Sequence, residues 1–400
     1  MVWSSLPSWG AGPAAPRSKI FLQGVLSFVL VSVIAVWYYF WQKRRAIWQR
    51  VVVYALEENL RNAKKDEAHL ETRFGSRHAC NVVASAPNFR DFCCSDAADV
   101  LAERSRLRTS TGDRLAAGKL FRSSNLHSSD MSAEEFRRLK AKSGFVRILD
   151  LRNLNERRED GEICRAEVGE KNLVSVSLFP LTLLLSLVDV FMQVRVAFLF
   201  ALRPTGRDLA VLGQEIIVRN CALLRLRGIY LLTLEYNQKL VLRVLQEVTR
   251  EASPLVLQCG TGKDSTGLIV ALLMVALNLA EEDIVYSYQL SASLLSTEYC
   301  SRKQALFQNR LHPDFFTSSS PHVMESVLQF LKNKYGSPTR YLDHIGFNAA
   351  WRTRLSCSKT DTPHSCYANL GRARGEDEVS PAAPHERSKY SHRSREVVML

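Results

Sequence analysis

The most restrictive feature of the sequence is a short apolar run that enters a glycine-containing turn and leaves it as a long apolar segment. Pro254–Gln258 reads PLVLQ, the turn reads CGTGKDS, and Thr266–Leu279 continues with few polar side chains. A short apolar run bounded by turn residues is typical of a buried strand, and the longer run predicts a buried helix. A strand that turns tightly into a helix favours an α/β arrangement for this part of the chain.

The turn between this strand and this helix has the composition of an anion-binding loop. Gly260 and Gly262 allow the backbone to wrap closely, so that N–H groups can point inward at an anion. The positive end of the helix that begins at Thr266 faces the same point. A cysteine at the edge of such a loop, here Cys259, has its thiolate form favoured. The sequence therefore predicts a nucleophile below a bound phosphate group, with Lys263 adding a positive charge at the rim.

Two other interpretations of the loop are weaker. The run GTGKDST resembles the nucleotide-binding Walker A motif, which needs glycine at its first position and serine or threonine directly after the lysine. Leu257 and Asp264 occupy those two positions, so the motif fails at both ends. A lone buried cysteine is ordinarily an inert core thiol. The glycine-containing strand-to-helix setting favours the reactive interpretation.

From about residue 86 the chain alternates between strand and helix signals. Strands are predicted at Gly118–Arg122, Phe145–Leu151 and Leu173–Leu178. Ser132–Lys142 predicts a helix that begins with a capping box, because Ser132 can act as N-cap with Glu135 three residues later. The alternation predicts an α/β fold with a mostly parallel sheet flanked by helices on both faces.

A membrane anchor is predicted near the N-terminus. Ile20–Trp41 comprises 22 residues without a charge and ends in a cluster of tryptophans and tyrosines. That length spans a hydrocarbon core, and the aromatic cluster is typical of its interface with water. The alternatives are a cleaved signal peptide or a buried core helix. The apolar region of a signal peptide is shorter and ends in a small-x-small site that is missing here. More basic residues follow the span than precede it, which predicts that the bulk of the chain faces the cytosol.

The remaining segments complete the predicted organisation. Residues 1–18 are predicted to be disordered, 43–85 to form a charged helical juxtamembrane stalk, and 356–400 to be a disordered tail. These segments leave one folded domain, 86–355. Leu181–Leu202 is apolar but contains Asp189 and Arg195. It is interpreted as an amphipathic helix that covers the core or the loop, with contact at the membrane surface as second choice and a true span as last.

Charge and cysteine content narrow the partners. The net charge is +13, which fits either a generally basic surface or attraction to an anionic membrane leaflet or a phosphorylated ligand. Nucleic acid is not expected, because the basic residues are scattered and no recognised binding motif is present. The nine cysteines are irregularly spaced without a Cys-x-x-Cys pair. This pattern argues against a disulfide framework or a zinc site and indicates a reducing compartment.

Five segments carry a resemblance to a known family. The loop is similar to the signature His-Cys-x-x-Gly-Lys-Asp-Arg-Thr-Gly of the atypical protein-tyrosine phosphatases of bacteria and protozoa, in the cysteine-dependent phosphatase superfamily. Some members of that family also act on phosphoinositides. Four further segments resemble family motifs in the same order: Pro87–Asp91, Gly118–Ser123, Asp150–Arg157 and Lys334–Leu342. The resemblance covers about 86–355, and 181–235 falls where family members carry a helical insertion that can cover the active site.

The resemblance implies roles for individual residues. Cys259 would attack phosphorus to form a cysteinyl-phosphate, and Asp264 would protonate the leaving oxygen and later activate water. A purely structural role for Asp264, receiving hydrogen bonds from the loop, is an equal alternative. Asp150 is expected to pair with Lys263 or to orient Arg152, or else to form a surface ion pair. The phosphate-binding residues would be Gly260, Thr261, Gly262, Lys263, Ser265, Thr266 and Gly267.

The chain departs from the family pattern at its most important cation. The signature arginine lies six positions after the cysteine, and this position holds Ser265. The planar guanidinium group of the signature arginine would bind two phosphate oxygens at once. Losing one such donor typically costs about 2.7–4 kcal/mol, or 10² to 10³ in rate; Lys263 or Arg152 could replace it in part. Gln258 also replaces the signature histidine, and Cys93 with Cys94 replaces a Gly-Gly pair.

Two functions follow from this combination. The first is a membrane-anchored phosphatase that acts on phosphotyrosine or a phosphoinositide without a metal or cofactor. The second is a pseudophosphatase that keeps the fold and the anion loop but serves as a phosphate-ligand-binding or scaffolding module. The two functions differ in whether the protein can turn over a phosphate ester without the signature arginine. That arginine stabilises the transition state rather than the fold.

Overall fold

The structure of the protein is a computed structural model. The described residues are 48–62, 85–93, 107–127, 131–154, 156–157, 163–179, 206–295, 316 and 318–360, with the single residues Val31, Tyr38, Gln42, Ala46 and Lys65. The chain divides into two compact units, Met1–Val53 and Tyr54–Leu400. The first unit includes a π-helical turn at Trp48–Val52. The sheet and the site described below belong to the second.

Several predicted segments lie outside the described residues. They include 1–18, the amphipathic segment 181–202, residues 361–400 and, apart from Val31 and Tyr38, the predicted span Ile20–Trp41. Among the described residues, no helix combines the length and the apolar character needed to cross a bilayer.

The described residues form five strands, β1 to β5, and eleven helices, α1 to α11. Strands and helices are each numbered in chain order. The strands are β1 Arg90–Asp91, β2 Leu120–Ser123, β3 Arg147–Asp150, β4 Leu173–Ser175 and β5 Leu255–Gln258. The helices are α1 Val53–Arg61, α2 Ala133–Ser143, α3 Ile163–Val168, α4 Gly206–Tyr236, α5 Gln238–Arg250, α6 Ser265–Ala276, α7 Glu281–Gln289, α8 Ser291–Leu294, α9 Pro321–Tyr335, α10 Pro338–Ile345 and α11 Ala349–Lys359. A 3-10 turn, Glu170–Asn172, precedes β4. The last helix continues past residue 355, where the folded domain was predicted to end.

The strands form one sheet in the order β1-β2-β5-β3-β4. Only the β1–β2 pair is antiparallel; β5 lies between β2 and β3 and runs parallel to both. Every residue of β2, β3 and β5 is buried. Because successive side chains of a strand point to opposite faces, burial of all of them means that both faces are covered. The predicted mostly parallel α/β sheet flanked by helices is therefore confirmed.

One face of the sheet packs on α2 and α3. Phe121, Ile148 and Val256 are register neighbours on three adjacent strands, and they belong to one buried cluster. The cluster also includes Phe136 and Leu139 from α2 and Cys164 and Val168 from α3. Phe136 and Phe145 meet edge to face at a centroid distance of 5.9 Å. This core holds β5 in register between β2 and β3, and it thereby positions the loop that follows β5.

The capping box predicted for α2 is present. The Glu135 N–H donates to Ser132 Oγ at 3.2 Å, and the Ser132 N–H donates to Glu135 Oε2 at 3.1 Å. We expect Ser132→Ala to lower the free energy of unfolding by about 1 kcal/mol, because one N-terminal N–H of the helix loses its acceptor. Urea denaturation measures this change. Ser143→Ala at the other end of α2 is the control, and an equal loss there would contradict a specific role for the cap.

The stretch predicted as a stalk contributes a packed helix. The Asn59 side chain in α1 donates to the Leu224 carbonyl in α4 at 3.1 Å, and Arg227 Nη1 donates to Asn59 Oδ1 at 2.6 Å. Tyr54 packs edge to face on Phe330 in α9. Helix α4 is interrupted at Arg225, which has a φ of 52° and a ψ of −171°. This kink separates the first part of α4 from Leu226–Tyr236, which reaches the site described next.

Candidate functional site

The predicted loop lies at the carboxyl edge of the sheet. The last residues of β2, β5 and β3 are paired in register, Ser123 with Gln258 and Gln258 with Asp150. The segments that follow these strands therefore emerge together, as they do at ligand sites of open parallel sheets. Cys259 follows β5, and Arg152 lies two residues beyond the end of β3. At the same edge, Gln258 Oε1 accepts a hydrogen bond from the Leu126 N–H at 3.1 Å.

Two side chains hold the carbonyl groups of the loop: Asn88, in the turn before β1, and Arg122, in β2. Asn88 Nδ2 donates to the Thr261 carbonyl at 2.9 Å. Arg122 donates to the Gly262 carbonyl through Nη2 at 2.7 Å and Nε at 3.3 Å. Because the C=O and N–H of a trans peptide point in opposite directions, the amide hydrogens of these two peptides face away from Asn88 and Arg122. Both holding residues belong to motifs noted in the sequence, but neither was predicted as part of the site.

The loop also leaves N–H groups available to a ligand. Within the described part of the chain, the N–H groups of Thr261, Gly262, Asp264 and Ser265 have no hydrogen-bond acceptor. The last of these is the first residue of α6, where helical N–H groups lack internal partners. The arrangement fits the anion-binding loop expected from the sequence.

A cavity of about 250 Å³ opens on this loop. Cys259, only 5% exposed, lies in its wall together with Gly260, Thr261, Asp264 and Ser265. Thr266 and Gly267 are buried in the first turn of α6 and, like Gly262, are not in the cavity wall. Helix α4 also lines the cavity, with mostly apolar side chains: Cys221, Leu226, Ile229, Tyr230 and Thr233. The observed insertion helix therefore covers the loop, although the part predicted at 181–202 lies outside the described residues.

Lys263 does not lie at the rim of the loop, contrary to the prediction. Its side chain is fully buried and is absent from the cavity wall. The ammonium group donates to the carbonyls of Phe316 at 2.5 Å and Ser318 at 3.0 Å, and it lies 3.3 Å from Asp264 Oδ1. These acceptors draw the lysine into the protein, where it anchors a distant segment to the loop.

Asp150 pairs with Arg152, one of its two expected partners. Arg152 Nη2 donates to Asp150 Oδ2 at 2.7 Å, and Nε lies 3.1 and 3.2 Å from the two carboxylate oxygens. Both side chains are buried, so the pair is not the surface ion pair considered as an alternative. Arg152 also donates through Nη1 to the Glu156 carbonyl at 3.2 Å and lies in the cavity wall. Asp150 thus holds one guanidinium group at the edge of the cavity.

Asp264 is held by donors from three directions. The Tyr230 hydroxyl donates to Oδ1 at 2.6 Å, Thr261 Oγ1 donates to Oδ2 at 3.3 Å, and the third neighbour is Lys263. Burial, followed by the Asp264 carboxylate, raises the pKa of Tyr230 well above its ordinary value, so this hydroxyl remains a donor. Tyr288 meets the same hydroxyl at 3.0 Å. These contacts fit the structural role considered for Asp264, in which it receives hydrogen bonds from the loop. Its position in the cavity wall also fits a general acid.

Removing the Tyr230 hydroxyl tests this network. We expect Tyr230→Phe to lower the free energy of unfolding by about 1.5–3 kcal/mol, the usual range for a hydrogen bond to a charged group. Urea denaturation gives the value. Tyr286→Phe, at an exposed position of α7, is the matched control and should change stability by less than about 0.5 kcal/mol. Equal losses in the two variants would show that the bond to Asp264 contributes little.

Of the two cysteines that replace the family's Gly-Gly pair, one lies within the described residues. Cys93 is buried, and its N–H donates to Asp91 Oδ1 at 3.0 Å, so the turn after β1 closes without glycine at this position. Cys94 lies outside the described residues. Among those residues, no group of histidine, cysteine, aspartate and glutamate side chains could hold a metal ion.

Comparison with known proteins supports the resemblance. The model of a family described as the tyrosine phosphatase family matches residues 82–358. This match includes all five strands, the loop and the helices from α2 to α10. No curated protein matches the chain.

Proposed function

The chain belongs to the tyrosine phosphatase family, and we propose that it hydrolyses a phosphate monoester at the Cys259 loop, slowly because Ser265 replaces the signature arginine. The observation that carries this proposal is the position of Cys259. The thiol lies in the wall of a covered cavity, beside loop N–H groups that have no acceptor among the described residues. These groups suit the oxygens of a phosphate held above the sulfur.

The proposed reaction has two steps. The Cys259 thiolate attacks phosphorus, the bond between phosphorus and the ester oxygen breaks, and Asp264 gives a proton to the departing alcohol or phenol. A water molecule, deprotonated by Asp264, then attacks the cysteinyl-phosphate and releases inorganic phosphate and the thiolate. Asp264 lies in the cavity wall, five positions after Cys259, and its side chain is one-third exposed. The loop N–H groups and Arg152 would stabilise the charge on phosphorus oxygens.

The substrate proposed for this site is a phosphotyrosine side chain or the headgroup of a phosphoinositide. We further propose that Ile20–Trp41 anchors the chain in a membrane with the phosphatase-like domain in the cytosol. The charge-free apolar run supports the anchor, and the basic residues after it support the orientation. Deleting residues 20–41 should release the protein from alkaline-washed membranes. Retention of the deleted form would contradict the anchor.

A pseudophosphatase is the second proposal, and Ser265 is the observation that favours it. Neither of the other two cations near the loop, Lys263 and Arg152, replaces the planar guanidinium group of the signature arginine. Lys263 is turned away from the cavity, and Arg152 is engaged by Asp150. A loop that offers N–H groups but no available guanidinium group can bind a phosphate group without stabilising the transition state for phosphoryl transfer. In this case the protein would present a bound phosphorylated ligand rather than consume it.

Turnover by the full-length chain distinguishes the two proposals. The purified protein in detergent is assayed with p-nitrophenyl phosphate, a phosphotyrosine peptide and vesicles that contain phosphoinositides. Phosphate release that disappears in Cys259→Ser supports the enzyme and excludes a binding module alone. The absence of release, together with saturable binding of the peptide or the vesicles, supports the pseudophosphatase. Release that persists in Cys259→Ser would overturn the cysteinyl-phosphate mechanism.

A further inference from the structure

Helix α4 is kinked at Arg225, immediately before the part of the helix that lines the cavity. Arg225 has a φ of 52°, which lies in the left-handed region where a side chain is disfavoured. A strained residue of this kind persists only where its surroundings hold the chain on both sides. The cavity wall takes its α4 residues after the kink from Leu226, Ile229, Tyr230 and Thr233. The contacts that hold the kink therefore also position this wall.

The side chain of Asn59 in α1 contacts both sides of the kink. Its Nδ2 donates to the carbonyl of Leu224, the residue before the kink, at 3.1 Å. Its Oδ1 accepts from Nη1 of Arg227, which follows the kink, at 2.6 Å. Asn59 and Arg227 are both buried. Because an amide side chain carries a donor and an acceptor, this one residue joins the two parts of α4.

Two further features hold α1 against α4 at the same level. Arg227 Nε donates to Ser326 Oγ in α9 at 3.0 Å, and Ser326 Oγ lies 3.3 Å from Glu58 Oε2 in α1. A Cβ atom at Gly228 would lie 3.2 Å from the Ala55 Cβ atom, which is closer than side chains normally pack. The α4 backbone thus approaches α1 closely beside the kink, and polar contacts fix the relative position of the two helices.

We infer that α1 is a brace for the cavity-lining part of α4 and that Asn59 is a positioning residue, which acts on Asp264 through Tyr230. Arg227 and Tyr230 are one turn apart on α4, and the Tyr230 hydroxyl donates to Asp264 Oδ1 at 2.6 Å. Helix α1 precedes the family match at 82–358, so the brace is an addition to the matched domain. The expected effect on turnover rests on the proposed function, whereas the effect on access to the cavity does not.

The test measures access to the cavity without requiring turnover. Full-length native protein is treated with iodoacetamide, and modification of Cys259 and Cys164 is followed by mass spectrometry. Cys164 lies in the core between the sheet and α3, so its reaction reports unfolding of the domain. Asn59→Ala should speed alkylation of Cys259 by about tenfold, because the wall opens more often, and leave Cys164 unchanged. Asn62→Ala is the matched control, since this buried asparagine donates to Glu58 and should affect neither cysteine.

A second variant covers misfolding of Asn59→Ala. Ala55→Leu removes no hydrogen-bonding group, but its larger side chain separates α1 from α4 at Gly228. It should therefore also speed alkylation of Cys259 selectively. An unchanged rate at Cys259 in both variants, or equal acceleration at Cys259 and Cys164, would overturn the brace. Selective acceleration of the same size in Asn62→Ala would overturn the assignment to Asn59.

A double variant tests whether the effect passes through Tyr230. Asn59→Ala combined with Tyr230→Phe should react at Cys259 no more than about twofold faster than Tyr230→Phe alone, because the bond to Asp264 is already lost. Effects that multiply in full would overturn this route.

Turnover of p-nitrophenyl phosphate is measured on the same samples. Asn59→Ala should lower kcat more than it changes KM, as expected when the acid is displaced and the phosphate loop is intact. No turnover in any sample, including the native protein, would count against the proposed hydrolysis and leave the alkylation result standing. Native turnover with unchanged alkylation in every variant would count against the brace alone.

Discussion

Replacing Ser265 by arginine is expected to raise hydrolysis of p-nitrophenyl phosphate by about 10²- to 10³-fold, the usual effect of one well-placed donor to the transition state. Ser265 is the first residue of α6 and lies in the cavity wall with Cys259. An arginine there would direct its side chain into a cavity of about 250 Å³ that already contains the thiol. Its planar fork can bind two phosphorus oxygens, which neither Lys263 nor the engaged Arg152 offers.

The control variants separate the effect of the planar guanidinium geometry from the effect of its positive charge. Ser265→Lys introduces the charge as a point without the bidentate geometry, so we expect a gain at least tenfold smaller than that of Ser265→Arg. The double variant Ser265→Arg with Cys259→Ser should show no turnover above buffer. The initial rate of p-nitrophenol release measures all three. A correctly folded Ser265→Arg variant with the native rate would show that the loop no longer holds phosphate in the reactive position.

Local sequence signals predicted most of the sheet and the position of the loop. The capping box at Ser132, the strand β5 and the helix after Asp264 each depend on residues within a few positions of one another. Strand ends were displaced by up to three residues: β2 occupies Leu120–Ser123 where Gly118–Arg122 was predicted. Pairing decides such ends, because a residue counts as strand only where its neighbour supplies the hydrogen bonds.

Contacts between distant residues could not be predicted in this way. Lys263 was expected at the rim because a lysine in an anion-binding loop usually meets the anion. Its direction depends instead on carbonyls more than fifty residues further along the chain. Tyr230 had no sequence signal, since it lies in an apolar insertion and reaches Asp264 only through the packing of α4. Arg122 belonged to a recognised motif, but its place behind the loop follows from the strand order β1-β2-β5.

Gly262→Ala is expected to lower the free energy of unfolding by about 2–5 kcal/mol, combining two separate costs. The first is conformational, since Gly262 has a φ of 66° and a side chain disfavours that region by about 1–2 kcal/mol. The second is steric. A Cβ atom at Gly262 would lie 2.4 Å from the carbonyl carbon and oxygen of Ser123 and 2.7 Å from the Ser124 nitrogen, all of them backbone atoms. The loop would have to move away from β2, which would also break the bond between Arg122 and the Gly262 carbonyl.

Gly118→Ala isolates the first cost from the second. Gly118 has nearly the same φ, 70°, but a Cβ atom there would meet nothing within 4 Å. We therefore expect this control to lose only about 1–2 kcal/mol, measured by urea denaturation beside Gly262→Ala. The difference between the two variants is the steric cost of placing a side chain between the loop and β2. Because the same loop carries Cys259, Gly262→Ala should also change the rate at which iodoacetamide alkylates Cys259, whereas Gly118→Ala should not. Equal losses in the two variants, with unchanged alkylation, would mean that the loop does not depend on its close approach to β2.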